Sequence, residues 1–335
     1  MEHAFVNASA ASDWRNILAE RGINTQDFDS LLRKPTLSGN NFDQQLIDLK
    51  EFVATVEKTG SVKSGGGISW SVGLASNYAK RGKVGQAILG SKTLGTAFNR
   101  LVKFYPLIQD RTDVSLEVGE DFTTLGYRIL DPDIWPRTED ALYTLGVFSS
   151  FIKTAAPTTW ETVDILIEAD KNVVKKDLTN EVCANVVYEA ETNGIRFPTK
   201  ILNNPIGLLP PVENDILNYL NRLLVEKRRY LPVSEKTRQA IFQGLSRGHV
   251  TQDHVAKTLG LSRRTLRRKL AAEEVSYQAI LDECRMRAAS LEFKISPNQS
   301  LSEMALKLGY SEHSTFSRAF MRWAGIAPQQ FRKLH

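Results

Sequence analysis

Between Val255 and Phe320 the apolar and polar positions fall in one order twice. The first pass reads VAKTLGLSRRTLRRKL and the second MALKLGYSEHSTFSRAF. Ala256, Leu259, Gly260 and Ser262 recur 49 positions later as Ala305, Leu308, Gly309 and Ser311. After a one-residue insertion the offset becomes 50, and Thr265, Leu266, Arg268 and Leu270 recur as Thr315, Phe316, Arg318 and Phe320. Each copy predicts a short helix, a tight turn and a second helix. The small alanine admits a neighbouring helix. The Leu-Gly pair closes the first helix, because glycine takes the left-handed conformation that ends one. Ser262 and Ser311 stand where a side chain caps the next helix. Two such units predict a double helix-turn-helix.

The same reading extends along the chain. Ser276 to Phe293 predicts a strut helix with Tyr277, Ile280, Leu281, Cys284, Ala288 and Leu291 on one face, packed against both units. Ser300 and Glu303 form a capping box for the helix after it. Further upstream, Asn41 to Lys58 and Lys92 to Ile108 read as amphipathic helices. The period then changes. Val114–Val118 and Thr123–Leu130 predict adjacent strands about a turn at Gly119 and Asp121, and Ala141–Ile152 returns to an apolar helix. Val163–Ile167, Asn185–Glu189 and Gly194–Ile201 predict further strands. Helices followed by strand pairs, with no regular βαβ alternation, predict an α+β domain ahead of an all-α one. Asn204-Pro205 and Pro210-Pro211 mark the boundary. The expected organisation is 1–205 as sensing and dimerisation domain, 206–231 as linker helix and 232–335 as double helix-turn-helix. The linker helix, Asp215 to Arg229, puts Leu217, Leu220 and Leu224 on one face, free to dock on the first domain or on a second subunit. Its closing Lys227, Arg228 and Arg229 either touch phosphate or stay solvated.

Charge sharpens this picture. Residues 232–335 carry 17 Lys and Arg against 9 Asp and Glu, a net of +8; the rest carries 26 against 29, a net of −3. A basic domain on an acidic body points to nucleic acid. In the first unit Leu266 and Leu270 share one face, while Arg264, Arg267, Arg268 and Ala271 share another, flanked by Arg263 and Lys269. Five cations in seven residues repel one another unless an anion lies against them. Arginine can pair bidentately with guanine O6 and N7 and also grips phosphate. In the second unit the exposed set is Glu312, His313, Ser314, Ser317 and Arg318, followed by Met321 and Arg322. His313 reads either as a donor to DNA or as an ordinary helix-start residue. The first helix is expected to dominate affinity.

Other chemistry is sparse. The five histidines are His3, His249, His254, His313 and His335, so no Ser-His or Cys-His pair and no histidine-ligated metal site fits within residues 4–248. Asp110, Asp113, Glu117, Glu120 and Asp121 read as surface charge around a strand pair. Gly85 to Thr93 imitates GxxxxGK[ST] with Ser91 inserted, no strand precedes it, and a turn is the better reading. Ser64-Gly65-Gly66-Gly67 reads as a loop. Cys183 and Cys284 are expected to be free, half-buried thiols. The opening residues show no secretory pattern and no apolar run approaches a membrane span, so a cytoplasmic protein without a membrane partner is expected. No cofactor or metal is expected.

At this point a family resemblance comes into view. SRRTLRRKLAAEEVSYQAILDECRMRAA, then LSEMALKLGYSEHSTFSRAFMRWAGIAPQQFR with its closing Gly325, Pro328, Phe331 and Arg332, resembles the DNA-binding domain of AraC-type transcription regulators. The resemblance implies that the second helix of each unit enters the major groove of double-stranded DNA. That role falls on Arg263, Arg264, Arg267, Arg268 and Lys269, and on His313, Ser314, Ser317 and Arg318. LGTAFNRLVKFYPLI and VVYEAETNGIRFPTKILNNPI are similar to the effector domain of AraC-type regulators of the ornithine-utilisation kind. This implies a small-molecule effector, a homodimer, contact with RNA polymerase and activation. Trp70, Tyr105, Tyr127, Phe148, Phe151 and Trp160 are candidates to line the effector pocket, and equally ordinary core residues. The expected function is therefore a sequence-specific, effector-responsive transcription regulator. A ligand-independent DNA-binding regulator and an enzyme fused to a DNA reader are the alternatives. The missing histidines disfavour the enzyme.

Overall fold

The computed structural model describes residues 4–34, 45–61, 68–131, 133–174, 178–245 and 250–334. The chain divides into two units, Met1–Ile129 with Ile134–Val225, and Leu130–Asp133 with Glu226–His335.

The first unit is α+β. It opens with β1 (Phe5–Asn7), α1 (Ser9–Glu20) and α2 (Gln26–Arg33). β2 (Leu46–Asp48) then pairs antiparallel with β1 and leads straight into α3 (Leu49–Gly60). This corrects the helix expected from Asn41. The Asp48 carboxylate accepts the Glu51 N–H at 2.9 Å and starts the helix at Leu49, so Leu46 belongs to a strand. Residues 41–44 of that expected helix and the Ser64–Gly67 run lie outside the described residues.

Next come α4 (Ile68–Ala75), α5 (Gly82–Leu89) and α6 (Leu94–Phe104). Gly85 sits inside α5 rather than in a turn, where a Cβ would strike the Tyr78 carbonyl. α6 is capped by Thr93, whose hydroxyl accepts the Thr96 N–H at 3.2 Å. It stops short of the expected Ile108. Pro106 lacks an N–H, and a 3-10 turn over Tyr105–Leu107 replaces the last helical turn.

β3 (Thr112–Val118) and β4 (Phe122–Ile129) form the expected hairpin, and α7 (Thr138–Ala155) follows. β5 (Asp164–Leu166), the short helices α8 (Lys171–Val174) and α9 (Thr179–Val182), β6 (Asn185–Val187) and β7 (Asn193–Pro198) complete the sheet. Among the described residues its order is β3-β4-β7-β5-β6, antiparallel except for β5 with β6. Leu125, Tyr127 and Ile129 of β4 and Ile195 and Phe197 of β7 alternate onto the covered face. α7 lies in the core and is buried almost all round. α4 crosses it backbone to backbone. A Cβ on Gly73 would strike the Tyr143 carbonyl, and one on Gly146 would lie 2.5 Å from the Trp70 carbonyl. α10 (Asn214–Tyr230) settles the choice left open for the leucine face: Leu220 and Leu224 are buried in the first unit's core. The Lys83 ammonium lies 4.0 Å from the centre of the Tyr219 ring on the same helix.

The second unit is all α. After α11 (Val233–Leu245) come α12 (Gln252–Thr258) and α13 (Arg263–Ala272), the strut α14 (Tyr277–Ile295), α15 (Leu301–Lys307) and α16 (His313–Ala324), and α17 (Pro328–Leu334). Ile241, Val255, Ala256, Leu266 and Leu270 pack on Ile280, Leu281 and Cys284 of α14. Met304, Ala305, Leu308, Phe316 and Phe320 pack on Ala289 and Phe293 of the same helix. Ala288 touches both clusters. The closing glycines take the left-handed conformation, Gly260 at φ +66° and Gly309 at φ +73°. Ser262 caps α13 by accepting the Thr265 N–H at 3.1 Å, and the Ser300–Glu303 capping box is formed. Ser311 is a correction. The N-cap of α16 is Glu312, with no side-chain cap bond. The one-residue insertion moves the helix start so that Glu312, not Ser311, stands where Ser262 stands. Both cysteines are free, but Cys183 is exposed and Cys284 fully buried, where burial raises its thiol to about 12.

Candidate nucleic-acid interface

α13 is built so that its sides differ. Leu266 and Leu270 are buried, and Arg263, Arg264, Arg267, Arg268 and Lys269 are exposed. Each buried leucine is worth about 1.5–3 kcal/mol, so the apolar side fixes which way the basic side faces. Arg263 is partly committed: its Nε donates to Gln252 Oε1 at 3.0 Å, and its guanidinium stands 3.6 Å from Asp253. Among the described residues no acceptor engages Arg264, Arg267, Arg268 or Lys269. Four cations therefore share one open, positively charged face.

α16 has the same anatomy with less charge. Phe316 and Phe320 are buried; His313, Ser314 and Arg318 are exposed and Ser317 is half-buried. Glu312 accepts the Ser314 hydroxyl at 3.2 Å, and Arg318 leans on the Thr315 hydroxyl at 3.4 Å. Arg322 pairs with Asp282 of α14 at 3.3 Å.

In the first unit the six aromatic candidates separate into groups. Tyr105, Tyr127 and Phe148 meet edge to face, with centroids 6.1–6.3 Å apart. Trp70 contacts Trp160 at 6.1 Å, and Phe151 contacts Tyr78 and Phe98. All six are buried. An open surface groove of about 470 Å³ lies elsewhere, along Gly90–Lys92 and Gly207–Pro211, and none of the six lines it.

Beside this aromatic trio is a polar interior that sequence reasoning missed. Tyr127 donates to Asp140 Oδ2 at 2.7 Å and accepts from Gln109 at 2.9 Å. Among the described residues Asp140 Oδ1 is buried with no hydrogen-bond partner. Glu57 of α3 accepts the Glu139 and Asp140 N–H groups at 2.7 and 3.0 Å, so it caps α7 from another helix. Burial pushes Glu57 up to about 8 and Asp140 up to about 6. Arg81 is buried, donating to Asp13 at 2.7 Å and to the Tyr143 hydroxyl at 2.8 Å. Arg137 pairs with Glu168 at 2.7 Å and Arg128 with the same carboxylate at 2.9 Å. These partners are distant in sequence, so no local spacing announces them. The only hint was acidic residues inside otherwise apolar helices.

The pattern of two reader units behind a separate α+β unit has counterparts among known proteins. The arabinose-binding domain of AraC transcription regulators matches residues 27–206, and a helix-turn-helix domain matches residues 255–334. The chain belongs to the AraC family. It is a DNA-binding transcription regulator with an effector-binding domain. An uncharacterised HTH-type transcriptional regulator of Mycobacterium tuberculosis is 24% identical over 330 residues, covering 94% of this chain and 92% of the relative. The ornithine utilization regulator of Pseudomonas aeruginosa is 24% identical over 343 residues, covering 95% and 93%. The transcriptional activator AggR of Escherichia coli is 27% identical over 205 residues, covering 60% and 69%. Among the described residues of this AraC-family chain, no helix is long and apolar enough to cross a membrane.

Proposed function

We propose that the protein is an effector-responsive transcription activator that acts as a homodimer, with residues 232–335 reading DNA and residues 1–205 sensing a small molecule. The observation that carries this reading is the open cationic face of α13, turned outward by Leu266 and Leu270. Arg264, Arg267 and Arg268 read or grip the major groove, with Arg263 and Lys269 on phosphate. His313, Ser314, Ser317 and Arg318 supply a weaker second contact. Within the first unit the Tyr105–Tyr127–Phe148 trio is the preferred effector contact, because Tyr127 is hydrogen-bonded to Asp140, whose Oδ1 is buried with no partner among the described residues. Trp70, Phe151 and Trp160, which contact other rings, are the further candidates. Effector binding favours one of two arrangements of the regulator, and the favoured one engages DNA and RNA polymerase. The activator reading is supported by relatives that carry that name.

The test is Arg267→Ala on a duplex that the full chain selects from a random pool. Loss of one guanine pairing lowers affinity by about 1–3 kcal/mol and relaxes preference at one base pair. Equal weakening on every sequence would assign Arg267 to phosphate instead.

A further inference from the structure

We propose that Arg285 of α14 is a positioning residue that fixes the separation of the two reader helices. The proposal rests on both α13 and α16 touching DNA.

The two units are copies, yet their closing turns are used differently. Gly260, in the first turn, has open space where a side chain would be. Gly309, in the second, is enclosed: an added Cβ would lie 2.9 Å from Val250 Cγ2 and 3.3 Å from Arg285 Nη2. On one side of this turn Arg285 donates from Nε to the Leu308 carbonyl at 2.9 Å and from Nη2 to the Gly309 carbonyl at 3.0 Å. Its guanidinium also lies 4.3 Å from the centre of the Tyr310 ring. Tyr310 in turn meets Phe316 of α16 at 5.9 Å and Trp323 at 6.4 Å. On the other side, Val250 immediately precedes Thr251, the cap of α12. The Val250 carbonyl accepts the Tyr277 hydroxyl of α14 at 2.7 Å. A continuous line of contacts therefore runs from the start of α12 through Val250, Gly309, Arg285 and Tyr310 to α16.

A planar guanidinium can bond two successive carbonyls at once, and an ammonium lacks that fork. The apolar attachment of the second unit to α14, through Ala289 and Phe293, is separate from this clamp. Without Arg285 both units keep their cores, and the joint near Ala288 loses its restraint. A rigid joint makes the second contact intramolecular and dependent on helical phase. A loose joint tolerates misplaced half-sites and gives up part of the linked affinity.

The experiment uses the full chain on its selected duplex, on the same duplex with half a helical turn inserted between the two half-sites of one subunit, and on each half-site alone. For the wild type the insertion is expected to lower affinity by about 100-fold. Arg285→Ala should bind the unaltered duplex about tenfold more weakly and lose less than about tenfold more on insertion. Its affinity for either half-site should stay within about twofold of wild type. Arg285→Lys, which keeps the charge, should behave like the alanine variant. If Arg285→Ala retains the full insertion penalty, the clamp does not set the spacing. Recovery in Arg285→Lys would assign the effect to charge, and loss on the second half-site alone would assign it to local unfolding; either overturns the proposal. A wild type indifferent to the insertion would instead sink the two-contact reading on which the proposal rests.

Discussion

Arg268 and Arg318 hold the same place in the repeat but stand in different fields. Arg268 shares its helix with Arg263, Arg264, Arg267 and Lys269. Arg318 is near Arg322, which is paired with Asp282, and near Glu312, whose carboxylate sits at the start of the helix. We expect Arg318→Ala to cost less DNA affinity than Arg268→Ala. Each lost phosphate contact should also lower the salt slope by about one unit. Titration of both variants against salt on one duplex checks the ranking, and a larger loss for Arg318→Ala reverses it. At this scale the sequence was legible wherever partners are neighbours in the chain. Ser262 with Thr265 and Ser300 with Glu303 were visible as caps. Ser311 was misread because the repeat aligns there by identity, while the helix start follows the insertion. Glu57 was not legible as a cap at all, since it lies 82 residues from the N–H it accepts.

At the scale of elements, that distant cap links α3 to α7 and ties both to pH. The Glu57 carboxyl is raised to about 8 by burial, against two backbone N–H donors that favour its ionised form, and Asp140 is raised to about 6 by burial. Acids raised in the folded state favour folding while protonated. Their stabilisation is complete below the ordinary carboxylate range and is lost as pH rises through the folded value. The first unit should therefore lose stability between about pH 4.5 and 8, by a few kcal/mol at most. Glu57→Gln, which keeps an oxygen acceptor and cannot ionise, should flatten that dependence. Its melting temperature should match wild type near pH 5 and exceed it near pH 8; parallel curves would remove Glu57 as the cause. Long elements were legible here from period alone, as α7, the β3–β4 hairpin and α14 show. The three-residue β1 and β2 were not, although β5 and β6 of the same length were: β2 runs straight into α3, and its Leu46 was read into that helix. α6 was read too long although Pro106 lay in plain view.

For the whole molecule, among the described residues the two cores of the second unit draw none from before Val233, and the leucine face of α10 is used up in the first unit. Residues 232–335 alone should therefore fold and protect the selected duplex without any metabolite. An effector should raise the melting temperature of the full chain and leave that fragment unchanged. An unfolded fragment in a circular dichroism melt would place the boundary elsewhere. The class of each region was legible from period and charge, but the polar interior of the first unit was not, because its groups meet only after folding. The glycine crossing of α4 and α7 adds a consequence for descent. A first substitution at Gly73 or Gly146 drives a methyl group into main chain, and no compensating side-chain change elsewhere can clear that obstacle. The rings at Tyr105, Tyr127 and Phe148 face other side chains, which can shrink in step. Lineages that acquire a new effector should therefore drift at the rings while both glycines stay put, and the crossing should outlast several changes in what is sensed.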